Sequence, residues 1–418
     1  MIADVVWRET DSPVSMADSK SLFNLPLGRD GKPAAYFCGH SLGPAPKAAA
    51  GFVAQELLRW AELGVNGHFV GAVPWVDVTA PLIAPLAQLA GVQPDEVVVM
   101  NALTVNLHLL LTSFLQPQGR RNRVLISKSA FPSDRLAILS QLRLRGLDPA
   151  SCLLEVEADP MRSQTLTDAV VETIEQEGER LALAWVEAVD FCSGEVVDIE
   201  RVTQAAHCVG ALAGFDLAHA IGNIPLALDR AEADFAVWCS YKYLNAGPGA
   251  IGGCYVSRRF HGDDSLPRLS GWWGLDPASR FRFDPSRLCS AKSAAAWQLS
   301  NPPVLEAAVL RASMEIFARH SIIDLRARSL ELTVAARSAI DSIGAKHLQV
   351  ITPAEASRRA SQLSLRIPGR ASELVNALLR HDVVCDARGE DILRLSLAPL
   401  YNNEDDIARM VKALEAVL

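Results

Sequence analysis

Six short apolar runs punctuate the middle of the chain, at Val97–Met100, Val124–Ile126, Leu181–Val186, Leu212–Phe215, Phe235–Trp238 and Ile251–Val256. Runs of this kind, apolar throughout and bounded by glycine, aspartate or polar turns, are the pattern of strands covered on both faces. Helical patterns separate them, so the stretch from Glu96 to about Val256 predicts a mostly parallel sheet with helices on both sides. Upstream, residues 1 to about 50 read as an irregular arm rich in glycine and proline that ends at Ser41-Leu42-Gly43-Pro44, followed by a helix from Lys47 to about Leu63. Downstream, Arg258 to Pro303 is loop-rich and dense in tryptophan, arginine and proline. One long helix is expected from Val304 toward Ala339, and a strand, helix, strand, helix pattern from about Gly344 to Leu418 predicts a small α+β domain. The expected division is an arm over 1–50, a large domain over 51–305, and a linking helix with a C-terminal unit over 306–418.

Composition narrows the function. The chain has 418 residues, of which 50% are hydrophobic, enough for a large domain with a substantial core and a smaller companion. A net charge of -8 leaves no basic excess to hold a nucleic-acid backbone. The first eleven positions carry acidic residues and lack a signal-peptide pattern, and no apolar run is long enough to span a bilayer. Eight cysteines, at 38, 152, 192, 208, 239, 254, 289 and 385, include no C-x-x-C pair, which points to reduced thiols with no metal site. These features predict a soluble cytoplasmic enzyme acting on a small molecule.

The chemistry concentrates at two strand ends. Asp216 closes one apolar run, in Gly214-Phe215-Asp216-Leu217-Ala218-His219, and Lys242 follows the next, in Cys239-Ser240-Tyr241-Lys242-Tyr243-Leu244-Asn245. Parallel strands present their C-terminal ends to a shared crevice, where ligands bind. A carboxylate keeps a pyridine nitrogen protonated and a lysine amine condenses with an aldehyde, so the two together fit opposite ends of pyridoxal phosphate. Either residue alone reads more simply as a helix cap or a solvated lysine. At Val99-Met100-Asn101-Ala102-Leu103-Thr104 a strand runs straight into an apolar helix, whose first turn is either an ordinary cap or a phosphate grip. At Phe131-Pro132-Ser133-Asp134 a second junction offers an aromatic ring for the cofactor face, and Asp134 either caps the next helix or reaches the ring. His219 lies close enough in sequence to bond Asp216 or a ring substituent, and Asn245-Ala246-Gly247-Pro248-Gly249 either lets the backbone pass near the cofactor or is simply a turn.

Six blocks in order carry a resemblance to the kynureninases: Met100 to His108, Ala130 to Asp134, Phe215 to Asn223, Trp238 to Gly247, Gly271-Trp272-Trp273-Gly274 and Ser300-Asn301-Pro302-Pro303. The resemblance runs from about Tyr36 to Asn402. It implies a fold-type I pyridoxal phosphate enzyme of the aspartate aminotransferase superfamily, with a seven-stranded-type sheet in the large domain and a smaller C-terminal α+β domain. The implied reaction is hydrolytic Cβ–Cγ cleavage of kynurenine, 3-hydroxykynurenine or a ring-substituted analogue to an anthranilate and L-alanine, in tryptophan catabolism. Carried over by position, Lys242 is implied as the Schiff-base lysine, Asp216 as the pyridinium partner and Phe131 as the stacking ring. Leu103 and Thr104 are implied as the phosphate grip, joined by Tyr241, which is also a candidate in proton transfer, while Pro132, Ser133, Asp134 and His219 line the cofactor site. Trp272 and Asn301 are implied to reach the site from a neighbouring subunit, hence a homodimer. His68 with Asn301 is implied at the substrate's aryl ring, the pair associated with the hydroxylated substrate, and Arg394 at its α-carboxylate, where a guanidinium fork suits two oxygens.

Three positions depart from the family pattern: His40 in Gly39-His40-Ser41-Leu42-Gly43, where the family has asparagine; Leu275, where histidine is common; and Glu187, where a small hydroxyl residue is usual. A carboxylate at 187 would turn away or repel Asp216 or the phosphate. Two other classes stay open, another fold-type I activity such as a desulfurase or aminotransferase, for which Cys385 would have to be a mobile loop cysteine, and a non-catalytic relative.

Overall fold

A computed structural model describes residues 16–162, 164–282, 286, 288–344 and 348–418. The first fifteen residues of the expected arm therefore lie outside the described residues.

The apolar runs form one sheet of seven strands: β1 (Val97–Val99), β2 (Arg123–Ser127), β3 (Leu153–Val156), β4 (Leu181–Glu187), β5 (Leu212–Asp216), β6 (Phe235–Trp238) and β7 (Gly253–Val256), in the order β1-β7-β6-β5-β4-β2-β3. Strands β2 to β6 run parallel, and β7 is antiparallel to both β1 and β6. The expected alternation holds, with β3 added: Leu153-Leu154-Glu155-Val156 is an edge strand carrying an exposed glutamate, so it lacks the continuous apolar signature. The last run starts later than its pattern suggests, at Gly253, because Ile251 and Gly252 form the turn against Asn101 and Trp238.

Side chains alternate between the two faces of each strand. On β4, Ala184 and Val186 join the core beneath α2 (Ala80–Ala90), α5 (Leu166–Glu177), α6 (Ile199–Cys208) and α7 (Val304–Phe317). Leu183 and Trp185 face the other core, with Leu107, Leu110 and Phe114 of α3 (Leu103–Phe114) and Ile138 and Leu142 of α4 (Pro132–Leu144). Trp185 and Gly214 are register partners, as are Glu187 and Asp216, so the two acids share the α3/α4 face at the C-terminal rim.

The single long helix is in fact two. α7 ends at Phe317, and Ser321 caps a new helix, α8 (Ile322–Ile343), by accepting the Asp324 N–H at 3.0 Å. The apolar periodicity continues across the break, and only the serine-capped turn betrays it. A second sheet pairs Gln349–Val350, Gln362–Arg366, Ile392–Ser396 and Asp386–Arg388, flanked by the helices Ala371–Leu379 and Glu404–Val417. The arm is stitched to this unit: Ala35–Tyr36 runs parallel to Val383–Val384, and Phe37 O accepts the Ser396 N–H at 2.8 Å.

Candidate active site

The rim of the large sheet brings Asp216 and Lys242 together. Strand β5 delivers Asp216 into the interior, 7% exposed, where its Oδ1 accepts the Ala218 N–H at 2.7 Å. Beyond β6 the chain folds into a turn closed by Asn245 N–H to Lys242 O at 3.0 Å, with Asn245 at φ +52° and its side-chain amide donating to Tyr243 O. Gly43 of the arm packs on that turn and donates to Tyr241 O at 2.8 Å, where a Cβ would collide with the Lys242 carbonyl and with Asn245. The Lys242 Nζ lies 5.6 Å from the centre of the Phe131 ring and 5.9 Å from that of Tyr241. The Tyr241 hydroxyl is pushed well above its ordinary range by burial and by Cys239, so at neutral pH it holds its proton and donates; it does not titrate near neutrality.

Asp216 does not stand alone. Asp134, in the first turn of α4, is 2% exposed and accepts the Trp185 indole N–H at 3.0 Å. Burial pushes both carboxyls up, the Lys242 charge pulls Asp216 back, and the proximity of Asp216 raises Asp134 further. Two carboxyls so placed share a proton. A cation beside Asp216 would lift this penalty, as a protonated pyridine nitrogen does. His219 Nδ1 and Glu187 Oε1 are buried without a hydrogen-bond partner, so this lining has polar capacity to offer a ring. His219 is held below its usual range by burial and by the Lys242 and Arg394 charges, so it is neutral.

A helix start adjoins it. Helix α3 opens without a side-chain cap at Ala102, leaving the N–H groups of its first turn, at Leu103 and Thr104, free for an anion. The turn before it is fixed by Asn101 at φ +43°, whose amide donates to Asn106, which in turn donates to Met100 O at 2.8 Å. Thr104 and Ser133 hydroxyls meet at 2.7 Å, and Pro132 starts α4 with a φ suited to a first helical position.

Arg394 sits on the small sheet and is fully buried. Its guanidinium forks onto Asp386, Nε to Oδ1 at 2.9 Å and Nη2 to Oδ2 at 2.7 Å, and also donates to Phe191 O and Ser41 Oγ. The pairing follows from register, since Asp386 and Arg394 are partners across the antiparallel strands. His40 Nε2 donates to the same carboxylate at 2.8 Å, and Arg388 donates to Ser41 Oγ at 3.1 Å. Burial and the Arg394 charge lower His40 to about 4, so it is a neutral imidazole. Although burial opposes it, the His40 bond and the Arg394 pairing hold Asp386 far below the carboxylate range. The sequence reading singled out Arg394 and His40 but missed Asp386 and Arg388; the only cue was their place in Cys385-Asp386-Ala387-Arg388.

Among the described residues, His68, Trp272 and Asn301 make no hydrogen bond or ring contact with Lys242 or Asp216. The His68 ring packs edge-on against Trp75 at 5.3 Å, and its neighbour Phe69 meets Phe281 at 5.6 Å, which meets Trp272 at 5.7 Å. Trp273 N–H donates to Leu299 O, tying the segment before Asn301 to the Trp272 turn. Phe69, Trp272 and Phe281 are 59%, 46% and 42% exposed, so this aromatic group faces outward. Leu275 forms a backbone bridge with Ser290. Cys385 is buried at 6% exposure and its thiol is pushed up by that burial, which removes it as a mobile loop cysteine.

Known proteins resemble this chain over nearly its whole length. A family model described as the kynureninase C-terminal domain matches residues 325–414. A kynureninase of Myxococcus xanthus is 42% identical over 408 residues, covering 98% of this chain and 96% of its own, and one of Xanthomonas euvesicatoria is 46% identical over 384 residues, covering 91% and 90%. Among solved structures, the Escherichia coli cysteine desulfurase CsdA superposes with a TM-score of 0.78 over 97% of this chain and 98% of its own at 17% identity, which shows a shared fold-type I architecture. On identity and coverage together, the chain belongs to the kynureninase family.

Proposed function

We propose that this protein is a pyridoxal phosphate enzyme that hydrolyses kynurenine, 3-hydroxykynurenine or a ring-substituted analogue to an anthranilate and L-alanine. The carrying observation is the convergence of Asp216, Lys242 and Phe131 beside an uncapped helix start, within a chain of the kynureninase family. Lys242 would bond the aldehyde carbon, Asp216 would face the ring nitrogen, Phe131 would cover the ring, and Leu103, Thr104, Ser133 and Tyr241 would hold the phosphate. Bound there, the cofactor supplies an electron sink for charge developing on the substrate carbons. Lys242 would serve as the base for the substrate's α-proton, and the protonated Tyr241 hydroxyl would be a donor beside it.

Arg394 is the proposed anchor of the substrate carboxylate, but not through the open fork expected from its sequence position, because Nε and Nη2 are committed to Asp386 on a buried side chain. With two arginines against one aspartate, the Arg388–Arg394–Asp386 group keeps a net positive charge, and the half-buried Arg388 lies at its outer side. The outward aromatic group supports a homodimer in which Trp272 and Asn301 complete the neighbour's site and His68 meets the substrate aryl ring. In this reading the arm and residues 306–418 move as one unit against residues 51–305, and the protein works in the cytoplasm.

Loaded with pyridoxal phosphate and given L-kynurenine, the protein is expected to release alanine and anthranilate in equal amounts. Release of sulfide from cysteine with no alanine from kynurenine would favour the desulfurase chemistry instead. Comparing turnover of kynurenine and 3-hydroxykynurenine assigns the preferred ring.

A further inference from the structure

Glu187 is the least explained acid near the rim. It ends β4, directly across from Asp216 on β5, and its side chain lies on the α3/α4 face with that of Trp185, which holds Asp134. It is 7% exposed, and its Oε1 has no hydrogen-bond partner. The groups facing it are Asp216 from β5, Asp134 from α4, Ser127 at the end of β2 and Asp190 from the following loop; Asp216 in turn faces Lys242. Asp190 is committed elsewhere, accepting from Ser129 Oγ, Cys192 N–H and Ser193 Oγ. Another charge among these carboxyls is disfavoured by desolvation and by like-charge repulsion. Burial first, then Asp190, raises Glu187 from 4.5 to about 8, so it is a neutral acid with a proton to donate at neutral pH.

The sheet order says what that proton faces. With the ring nitrogen at Asp216 and the aldehyde carbon at Lys242, the ring has two remaining edges, one carrying the phosphate arm and one the methyl group and phenolic oxygen. Leu103 and Thr104 follow β1 and Tyr241 follows β6, both on one flank of β5, and Ser133 of α4 reaches them through its hydroxyl contact with Thr104, whereas Glu187 ends β4 on the other flank, in register with Asp216. We propose that Glu187, as a neutral carboxylic acid, donates a hydrogen bond to the phenolic oxygen on the ring edge opposite the phosphate arm. This rests on the cofactor reading above and adds to it a contact made by a buried acid that meets Ser127 and keeps one oxygen, Oε1, without a partner.

The sign of one spectroscopic shift tests it. A donor on the phenolic oxygen withdraws negative charge from the neighbouring Lys242–cofactor nitrogen and so eases loss of that nitrogen's proton, whereas an anionic Glu187 would hinder the loss. In a pH titration of the visible absorption of the loaded protein, E187L is expected to raise the midpoint by about one pH unit, and E187Q, which retains a neutral donor, to stay near wild type. An unchanged midpoint in E187L, or a lowered midpoint in either variant, overturns the proposal. If E187L fails to fold, E187A, which also lacks a donor, carries the same test. A wild-type protein that shows no visible band and cleaves no kynurenine overturns the cofactor reading as well; a normal band and normal cleavage without the shift overturn only the Glu187 contact.

Discussion

That Asp216 and Lys242 come near one another was legible from sequence, because short apolar runs bounded by turns read as parallel strands whose C-terminal ends share a crevice. Their neighbours were not legible, because Trp185 and Glu187 meet Asp134 and Asp216 only through strand register and helix packing. Replacing Asp216 with asparagine would remove the proposed charge-assisted bond to the ring nitrogen, worth about 1.5 to 3 kcal/mol, so D216N is expected to lose roughly ten- to a hundredfold in kynurenine turnover while retaining the fold, as read by steady-state rates and circular dichroism. Glu187 also makes a stability prediction. Its folded value of about 8 lies above the ordinary 4.5, so its contribution is full below about pH 4.5 and is lost as pH rises through about 8. Urea unfolding of the cofactor-free protein should show that decline, and E187Q should flatten it; an identical pH slope in E187Q would contradict a buried neutral acid. His40 has the opposite sense: its value of about 4 against 6.5 means stability is lost as pH falls between them.

Elements were read well where periodicity spoke and poorly where a cap did. The mostly parallel sheet followed from uninterrupted apolar runs, but β3 escaped because an edge strand tolerates Glu155, which pairs with Arg135 at the surface. The break between α7 and α8 escaped because its signal is one hydroxyl, Ser321, inside a continuous apolar pattern. Ser321→Ala is accordingly expected to destabilise the protein by about 1 kcal/mol, seen as a lower urea midpoint with kynurenine turnover unchanged per folded molecule. No change in midpoint would mean that packing alone starts α8. The arm shows how distant segments build one site: Gly43 presses on the Lys242 turn while Ala35–Phe37 is knitted into the small sheet, so the arm couples the lysine to the unit that carries Arg394.

Across the whole molecule, the predicted two-sheet organisation places one charge cluster, His40, Ser41, Asp386, Arg388 and Arg394, against the pocket that holds Lys242 and His219. The outward group of Phe69, Trp272 and Phe281 makes no ring contact with Lys242 or His219 among the described residues, and the proposed homodimer would place it against a second copy's site. Mixing inactive Lys242→Ala with inactive Asn301→Ala should therefore restore about a quarter of wild-type activity, because half of the molecules become hybrids with one intact site each; no recovery after verified subunit exchange would place both residues in the same chain's site. The most direct test of the account is to load the protein with pyridoxal phosphate, reduce it with borohydride and locate the pyridoxyl group by peptide mass mapping. The account predicts the label on Lys242 alone, and a label on another lysine, or none, would contradict it.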